Sequence, residues 1–244
     1  MQEIIDFHMH PFTDSTNNFC IYKENVGFSG QSPISYDMER AGITRFCGTV
    51  IKRKNNPSSI TWEDISELNS LALELREKMG NKYIPGIHIH PFYKKESIAE
   101  IEKMHKNGVK LIGELVPYMM GGYPYCDRNL FEILEAADHY KMVINFHTTG
   151  DLEIEEMVKI FPNLTFVAAH PGEADVFKRH INRMQKYDNL YLDLSGTGLA
   201  RYGMLKHGVD VLGAERFLFG TDYPINNPGM YVSAVMYELL SDSQ

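Results

Sequence analysis

The chain reads as an α/β protein built as a single-domain (β/α)8 TIM barrel over residues 1–244. Three observations predict this. Eight short apolar runs recur along the sequence, each suited to a parallel strand buried on both faces. Helical segments separate them, clearly in seven intervals and weakly in the first. Single His, Asp or Glu residues fall at the ends of the runs, where a barrel gathers its reactive groups. No linker-like stretch divides the chain, and no close sequence repeat accompanies the structural one.

The first strand is Ile4-Ile5-Asp6-Phe7-His8-Met9-His10, stopped by Pro11. Residues 12–35 are polar and lack helical periodicity; so long a connection in a compact domain is often functional. Arg45–Ile51 is the second strand. Thr61 caps a helix to Met79, with Ile65, Leu68, Ala72, Leu75 and Met79 on one face and Gly80 as the stop. Tyr83–His90 is the third strand, closed by Pro91; Ser97 and Glu100 then read as a capping box opening a helix to Asn107-Gly108. Val109–Val116 is the fourth strand, followed by Pro117 and a loop with Tyr118, Tyr123 and Tyr125.

Asp127 caps the next helix, which buries Leu130, Phe131, Leu134 and Ala137. Met142–His147 is the fifth strand. Asp151 is expected to cap a helix carrying Glu153, Glu155 and Glu156 near its positive end and stopping at Phe161-Pro162. Leu164–His170 is the sixth strand, leading through Pro171-Gly172 into a helix ending near Tyr187. Leu190–Ser195 is the seventh, followed by a weaker helix around Arg201–Leu212. Arg216–Asp222 is the eighth, and Pro228–Leu240 forms the last helix.

Composition narrows the function classes. An apolar fraction of 43% and a charged fraction of 23% are those of an ordinary soluble protein. A net charge of −8 opposes non-specific binding to phosphate backbones, so no nucleic-acid partner is expected. Cys20, Cys47 and Cys126 are scattered and odd in number, which suggests neither a disulfide framework nor a Cys-rich zinc site. The sequence shows no signal peptide and no apolar run long enough to span a bilayer, so a cytoplasmic protein without a membrane partner is expected. Self-association into homo-oligomers stays open.

Side chains at i and i+2 leave the same face of a strand, so His8 and His10 project together and can share one divalent metal. Alone, such a pair is more often two polar residues on an exposed face. Its company raises it: strand ends also offer His88 and His90, Glu114, His147, His170, Asp193 and Asp222. The remaining histidines, His105, His139, His180 and His207, lie on helices at packing faces or ends. Neutral imidazoles and carboxylates suit Zn²⁺ or a similar ion, and an open position on such an ion brings the pKa of a bound water to about 7.

Asp-Phe-His-Met-His on the first strand, His147 on the fifth, Ala-His-Pro-Gly around His170 and Gly-Thr-Asp-Tyr-Pro around Asp222 resemble the amidohydrolase superfamily. The nearest branch is the amidohydrolase-2 family, which includes aminocarboxymuconate-semialdehyde decarboxylase; the resemblance spans essentially the whole chain. It implies a metal-dependent barrel in which His8, His10, His147 and Asp222 hold the principal ion. His170 would then be a base, a substrate contact or a further ligand. Gly113-Glu114 is also similar to the TatD-type metal-dependent deoxyribonucleases, whose strand-four glutamate bridges two metals. Carried over, that role would give His147 and His170 to a second ion; Glu114 as a substrate contact or cation partner is the competing reading.

The resemblance therefore implies a hydrolase of a small molecule with one or two divalent ions, most simply Zn²⁺, one principal ion being preferred. Asp222 and His170 are the proton-transfer candidates. Non-hydrolytic decarboxylation is the main alternative, with Arg201 as a candidate for holding a carboxylate. A TatD-like nuclease and a barrel that binds a metal or metabolite without turnover are the others. His90 is expected as a substrate contact, His88 as a satisfied core residue or a support behind a ligand, and Asp193 as a residue that orients a ligand or pairs inside the barrel. The loop over residues 12–35 and the segment Tyr118–Tyr125 are expected to line or cover the pocket.

Overall fold

The computed structural model describes residues 3–14, 17–20, 33–52, 59–148, 150–241 and 244. Strands and helices alternate throughout: β1 (Ile5–Met9), α1 (Pro33–Ala41), β2 (Arg45–Gly48), α2 (Trp62–Met79), β3 (Tyr83–Ile87), α3 (Lys94–Lys106), β4 (Leu111–Leu115), α4 (Arg128–His139), β5 (Val143–His147), α5 (Asp151–Ile160), β6 (Thr165–Ala169), α6 (Ala174–Met184), β7 (Leu190–Asp193), α7 (Met204–Leu212), β8 (Phe217–Leu218) and α8 (Pro228–Met236). The eight strands form one sheet in sequence order, each parallel to the next.

The two edges meet. The Phe7 amide donates to the Phe219 carbonyl at 2.8 Å, the Asp222 amide to the His8 carbonyl at 2.8 Å and the His10 amide to the Tyr223 carbonyl at 2.7 Å. Inside this seam Asp6 accepts from the Thr221 hydroxyl at 2.5 Å and the Thr221 amide at 3.1 Å. This is a (β/α)8 TIM barrel.

Strand parity divides the chemistry. On β5, Ile144 and Phe146 face outward into a core with Phe166 and helix residues such as Leu130, Ile154 and Met157. Asn145 and His147 alternate with them and face the barrel interior. On β1, Met9 joins the core with Ile34, Met38 and Leu68, while Asp6, His8 and His10 turn inward. Burying each large apolar side chain stabilises the fold by about 1.5–3 kcal/mol, so the register that aims the polar residues inward is fixed by their apolar neighbours.

Local differences from the sequence reading have identifiable causes. Helix α1 exists and begins at Pro33, within the stretch read as loop; Ile34 and Met38 bury its inner face. Thr61 caps α2, reciprocally with Asp64, and Asp127 caps α4 as expected. Ser97 and Glu100 are not an N-terminal box: α3 starts at Lys94, and the Ser97 hydroxyl is engaged by the His90 amide and carbonyl. Asp151 is the first residue of α5 rather than its cap. Left-handed Gly150 precedes it, and the Asp151 carboxylate pairs with Arg179 at 3.0 Å and with Arg183. Asn227 caps α8, which ends at Met236, four residues before the expected Leu240. Among the described residues no helix is long and apolar enough to cross a membrane.

Candidate active site and metal centre

At the C-terminal mouth the structure brings His8, His10, Glu114, His147, His170 and Asp222 together. His8 Nε2 and His10 Nε2 are 3.3 Å apart, and Asp222 Oδ1 lies 4.0 and 3.3 Å from them. Glu114 Oε2 approaches the same two nitrogens at 3.6 and 3.7 Å. Its other oxygen turns the opposite way, 2.8 Å from His147 Nδ1 and 3.4 Å from His170 Nε2. Among the described residues the possible ligand atoms fall into three compact sets, His8–His10–Asp222, Glu114–His147–His170 and His8–His170–Asp193; the first two meet at Glu114, and the third gathers at the Asp193 carboxylate.

The groups behind the imidazoles determine which nitrogen faces the site. His10 Nδ1 donates to the Thr49 carbonyl at 3.1 Å, and His8 Nδ1 to Asp193 Oδ2 at 2.9 Å. Both Nε2 atoms then present lone pairs to each other and to a carboxylate oxygen, an arrangement of acceptors that calls for a cation. Donors about 2.1 Å from a tetrahedral ion lie roughly 3.4 Å from one another. The separations here are of that size, so the residues present fit a divalent metal.

The protein's own charges agree. Burial favours neutral His8, but the carboxylates of Asp193 and Glu114 outweigh it and raise its pKa well above the ordinary histidine value. Burial likewise opposes ionised Glu114, yet the His8 charge and hydrogen bonds from His147 and His170 hold its pKa well below the carboxylate range. His170 is lowered by burial and raised more by its hydrogen bond and charge contact with Glu114. A proton drawn to the inward nitrogens occupies the place a cation would take. His88, buried beside these groups, is pushed down to about 4 by desolvation and donates Nε2–H to the Val50 carbonyl at 2.8 Å.

Two backbone features aim the site. His170 and Asp222 adopt φ of 69° and 60°, a left-handed conformation uncommon for residues with a Cβ and concentrated at functional positions. Gly196, at φ 66°, lets the β7 loop pass directly against His170: a Cβ there would stand 2.2 Å from His170 Nδ1.

Residues 5–242 match the model of the amidohydrolase family, in its amidohydrolase-2 branch. The chain belongs to the amidohydrolase family. No curated protein sequence matches it significantly. Among solved structures it is similar to 2,6-dihydroxybenzoate decarboxylase from Rhizobium, at 12% identity and a TM-score of 0.74, covering 100% of this chain and 94% of that one. It is similar also to dihydroxybenzoic acid decarboxylase from Polaromonas sp. JS666, solved with bound manganese and the inhibitor 2-nitroresorcinol. That match has 14% identity and a TM-score of 0.70, covering 100% and 93% of the two chains. A probable 2-pyrone-4,6-dicarboxylic acid hydrolase from Acinetobacter baumannii, with citric acid bound, matches at 10% identity and a TM-score of 0.63, covering 96% and 90%. At these identities the likeness is one of fold; the family match and the His/Asp/Glu cluster make this amidohydrolase a metal-binding enzyme.

Above the ligands lies a pocket of about 370 Å³. Glu114, His147, His170 and Asp222 form its floor, and Phe19, Ile51, Leu68, Val116, Tyr118 and Met119 form much of its wall. Tyr118 is 56% exposed, with its ring edge-on to His147 at 5.2 Å. Tyr123 and Tyr125 pack in the core instead; the Tyr125 hydroxyl shares its one proton between the His147 and Leu115 carbonyls, at 2.7 and 3.0 Å. Of the expected lid over residues 12–35, Phe19 reaches the pocket, whereas residues 15–16 and 21–32 lie outside the described residues.

Two expected substrate contacts are placed elsewhere. His90 is fully buried; its Nε2 donates to the Met120 carbonyl at 2.5 Å and its Nδ1 accepts from the Phe92 amide at 3.1 Å, so it braces the loop beyond the pocket wall. Its neighbour His88 is buried and satisfied as expected, by the Val50 carbonyl and the Asn69 side chain, and it also lines the pocket. Arg201 is an exposed side chain paired with Glu173 and is not part of the described wall. Sequence reasoning missed Lys52, which is the one Lys or Arg among the described residues of the wall, and also Asn145 and Ser195. The parity rule that joined His8 to His10 also places Asn145 on the face of His147 and Ser195 on the face of Asp193.

Proposed function

We propose that this amidohydrolase hydrolyses a small, largely apolar substrate carrying an anionic group, using two divalent ions. The observation that carries the reading is the orientation of Glu114, whose two carboxylate oxygens face different ligand sets. His8, His10 and Asp222 would hold one ion, His147 and His170 the other, with Glu114 shared between them. The four imidazoles and two carboxylates suit Zn²⁺, and also Mn²⁺. Such ions supply a Lewis acid for the scissile group and water that ionises near neutral pH.

The chain's residues do the rest. Asn226 Nδ2 donates to Asp222 Oδ2 at 3.3 Å, which orients Oδ1 towards the ligand set. From there Asp222 takes a proton from the attacking water and delivers it to the leaving group. In this arrangement His170 serves as a ligand, with proton transfer resting on Asp222. Phe19, Val116 and Met119 keep bulk water from the reacting atoms, and Lys52 faces an anionic substituent. Its partner Glu67, at 3.5 Å, is a loose and half-exposed one that a substrate carboxylate can displace. The free Cys20, Cys47 and Cys126 fit a reducing cytoplasm. A net charge of −8 speaks against a nuclease.

Decarboxylation is the second reading, favoured by the apolar wall, which would desolvate a carboxylate, and by similar solved structures that are decarboxylases, among them those from Rhizobium and Polaromonas. One assay separates them. The metal-loaded enzyme is offered esters, lactones, amides and aromatic carboxylates in ¹⁸O-labelled water. Hydrolysis places label in the product acid without release of CO₂; CO₂ release with no label in the product refutes it.

A further inference from the structure

We infer that Ser195 is a positioning residue that sets the tautomer of His170, and through it the affinity of the Glu114–His147–His170 set for its ion. The inference rests on the two-ion reading above for its metal-binding consequence; the tautomer stands on hydrogen-bond geometry alone.

Asp193 and Ser195 are i and i+2 at the end of β7, and both are fully buried. Ser195 Oγ is 2.5 Å from Asp193 Oδ1, 3.0 Å from His170 Nδ1 and 3.0 Å from His8 Nδ1. A hydroxyl has one proton and two lone pairs. The 2.5 Å contact is that of an O–H donated to a carboxylate, so the proton goes to Asp193. The hydroxyl can meet His170 only as an acceptor, and His170 must therefore carry its proton on Nδ1. With a single proton on the ring, its Nε2 is left as a lone pair directed at the ligand set, and a cation there takes the place of the second proton that Glu114 otherwise draws to it.

The carboxylate behind this hydroxyl is itself saturated. Asp193 Oδ1 also accepts the Ser195 amide at 3.1 Å, and Oδ2 accepts Asn145 Nδ2 at 2.9 Å and His8 Nδ1 at 2.9 Å. One buried aspartate thus fixes two imidazoles, His8 directly and His170 through the serine. The two ligand sets share a support on the side away from the pocket, as Glu114 links them on the near side.

Removing the hydroxyl separates these roles. In Ser195→Ala, His8 keeps Asp193 Oδ2 and His10 keeps the Thr49 carbonyl, whereas His170 Nδ1 has no acceptor of this kind. The ring then gains by moving its proton to Nε2 and donating to Glu114 Oε1, now 3.4 Å away. That would consume a lone pair on each of two ligands. Losing such a support typically lowers metal affinity about 10- to 100-fold.

The test uses full-length protein stripped of metal, at a pH above the raised His170 titration so that the ring carries a single proton. Imidazole ¹⁵N shifts report the His170 tautomer in wild type and Ser195→Ala, and Zn²⁺ titration reports each equivalent bound. The expected result is Nδ1–H in wild type and Nε2–H in the variant, with one bound equivalent reduced about 10- to 100-fold in affinity and the other by less than about threefold. His170 protonated on Nε2 in wild type, or an unchanged tautomer in the variant, overturns the inference. So does an equal fall in both equivalents, which would mark a packing role. If wild type binds only one ion, the two-ion reading fails while the ¹⁵N result still decides the role of Ser195.

Discussion

Replacing Glu114 by Gln keeps the side chain's shape and removes its charge. The wild-type carboxylate is 5% exposed, with inward imidazole nitrogens of four histidines 2.8–3.7 Å away. An amide can place its oxygen towards only one histidine pair, leaving an NH₂ facing the other. Removing one member of a buried charged pair typically costs about 3–5 kcal/mol, or roughly 10²- to 10⁴-fold in affinity. That loss should fall mainly on the His147–His170 set, which would retain two neutral imidazoles. The His8–His10–Asp222 set keeps its own carboxylate and should weaken by only about tenfold. Zn²⁺ titration and metal content after dialysis read the stoichiometry, and circular dichroism checks folding. Two ions in wild type and one in Glu114→Gln are expected. One ion in wild type, or two retained with unchanged affinity in the variant, would refute the shared-ligand reasoning.

Three further outcomes are expected. His180 is buried, neither ring nitrogen has a hydrogen-bond partner among the described residues, and burial followed by the Arg183 charge pushes its pKa down to about 3. The unfolded chain takes the proton that the folded one refuses, so wild type should lose stability as pH falls from about 6.5 towards 3, by up to about 1.4 kcal/mol per pH unit. Urea melts of His180→Leu should show a shallower acid loss; equal slopes in the two proteins would disprove this. Lys52→Met should raise KM for anionic substrates about tenfold while leaving metal content unchanged, and equal KM values would remove Lys52 from substrate recognition. Arg201→Ala should change KM by less than about twofold and stability by less than about 1 kcal/mol, because its ion pair with Glu173 is exposed. A larger rise in KM would return Arg201 to the pocket.

The barrel was legible because its signals are periodic: apolar runs of strand length, proline stops after Met9-His10 and His88-Ile89-His90, and caps at Thr61 and Asp127. The convergence of His8, His147 and Asp222 followed from one topological rule about strand ends. What stayed hidden depended on tertiary competition for single groups. Ser97 resembles a cap until the His90 backbone takes its hydroxyl, and Asp151 does until Arg179 and Arg183 take its carboxylate. His88 and His90 alternate as strand residues should, but β3 ends at Ile87. Beyond that point strand parity no longer holds the two rings on one face, and His88 reaches the pocket while His90 does not. Lys52 is invisible to sequence reasoning because an isolated lysine after a strand has no distinguishing pattern.

The seam between β1 and the segment after β8 bears on when the centre can exist. Asp6 and Thr221, which latch that seam, are 215 residues apart in the chain, and His8, His10 and Asp222 straddle the same join. Such distant contacts form late, after the cost of closing the intervening loop has been met. A chain emerging from the ribosome therefore has no complete first ligand set until its final strand is made. Metal acquisition comes after barrel closure, and a bound ion would resist the parting of the chain's two ends. Loss of the ion should accordingly be felt first as an opening of that seam, measurable as faster amide exchange at His8, His10 and Asp222 than at the β5–β6 ladder opposite.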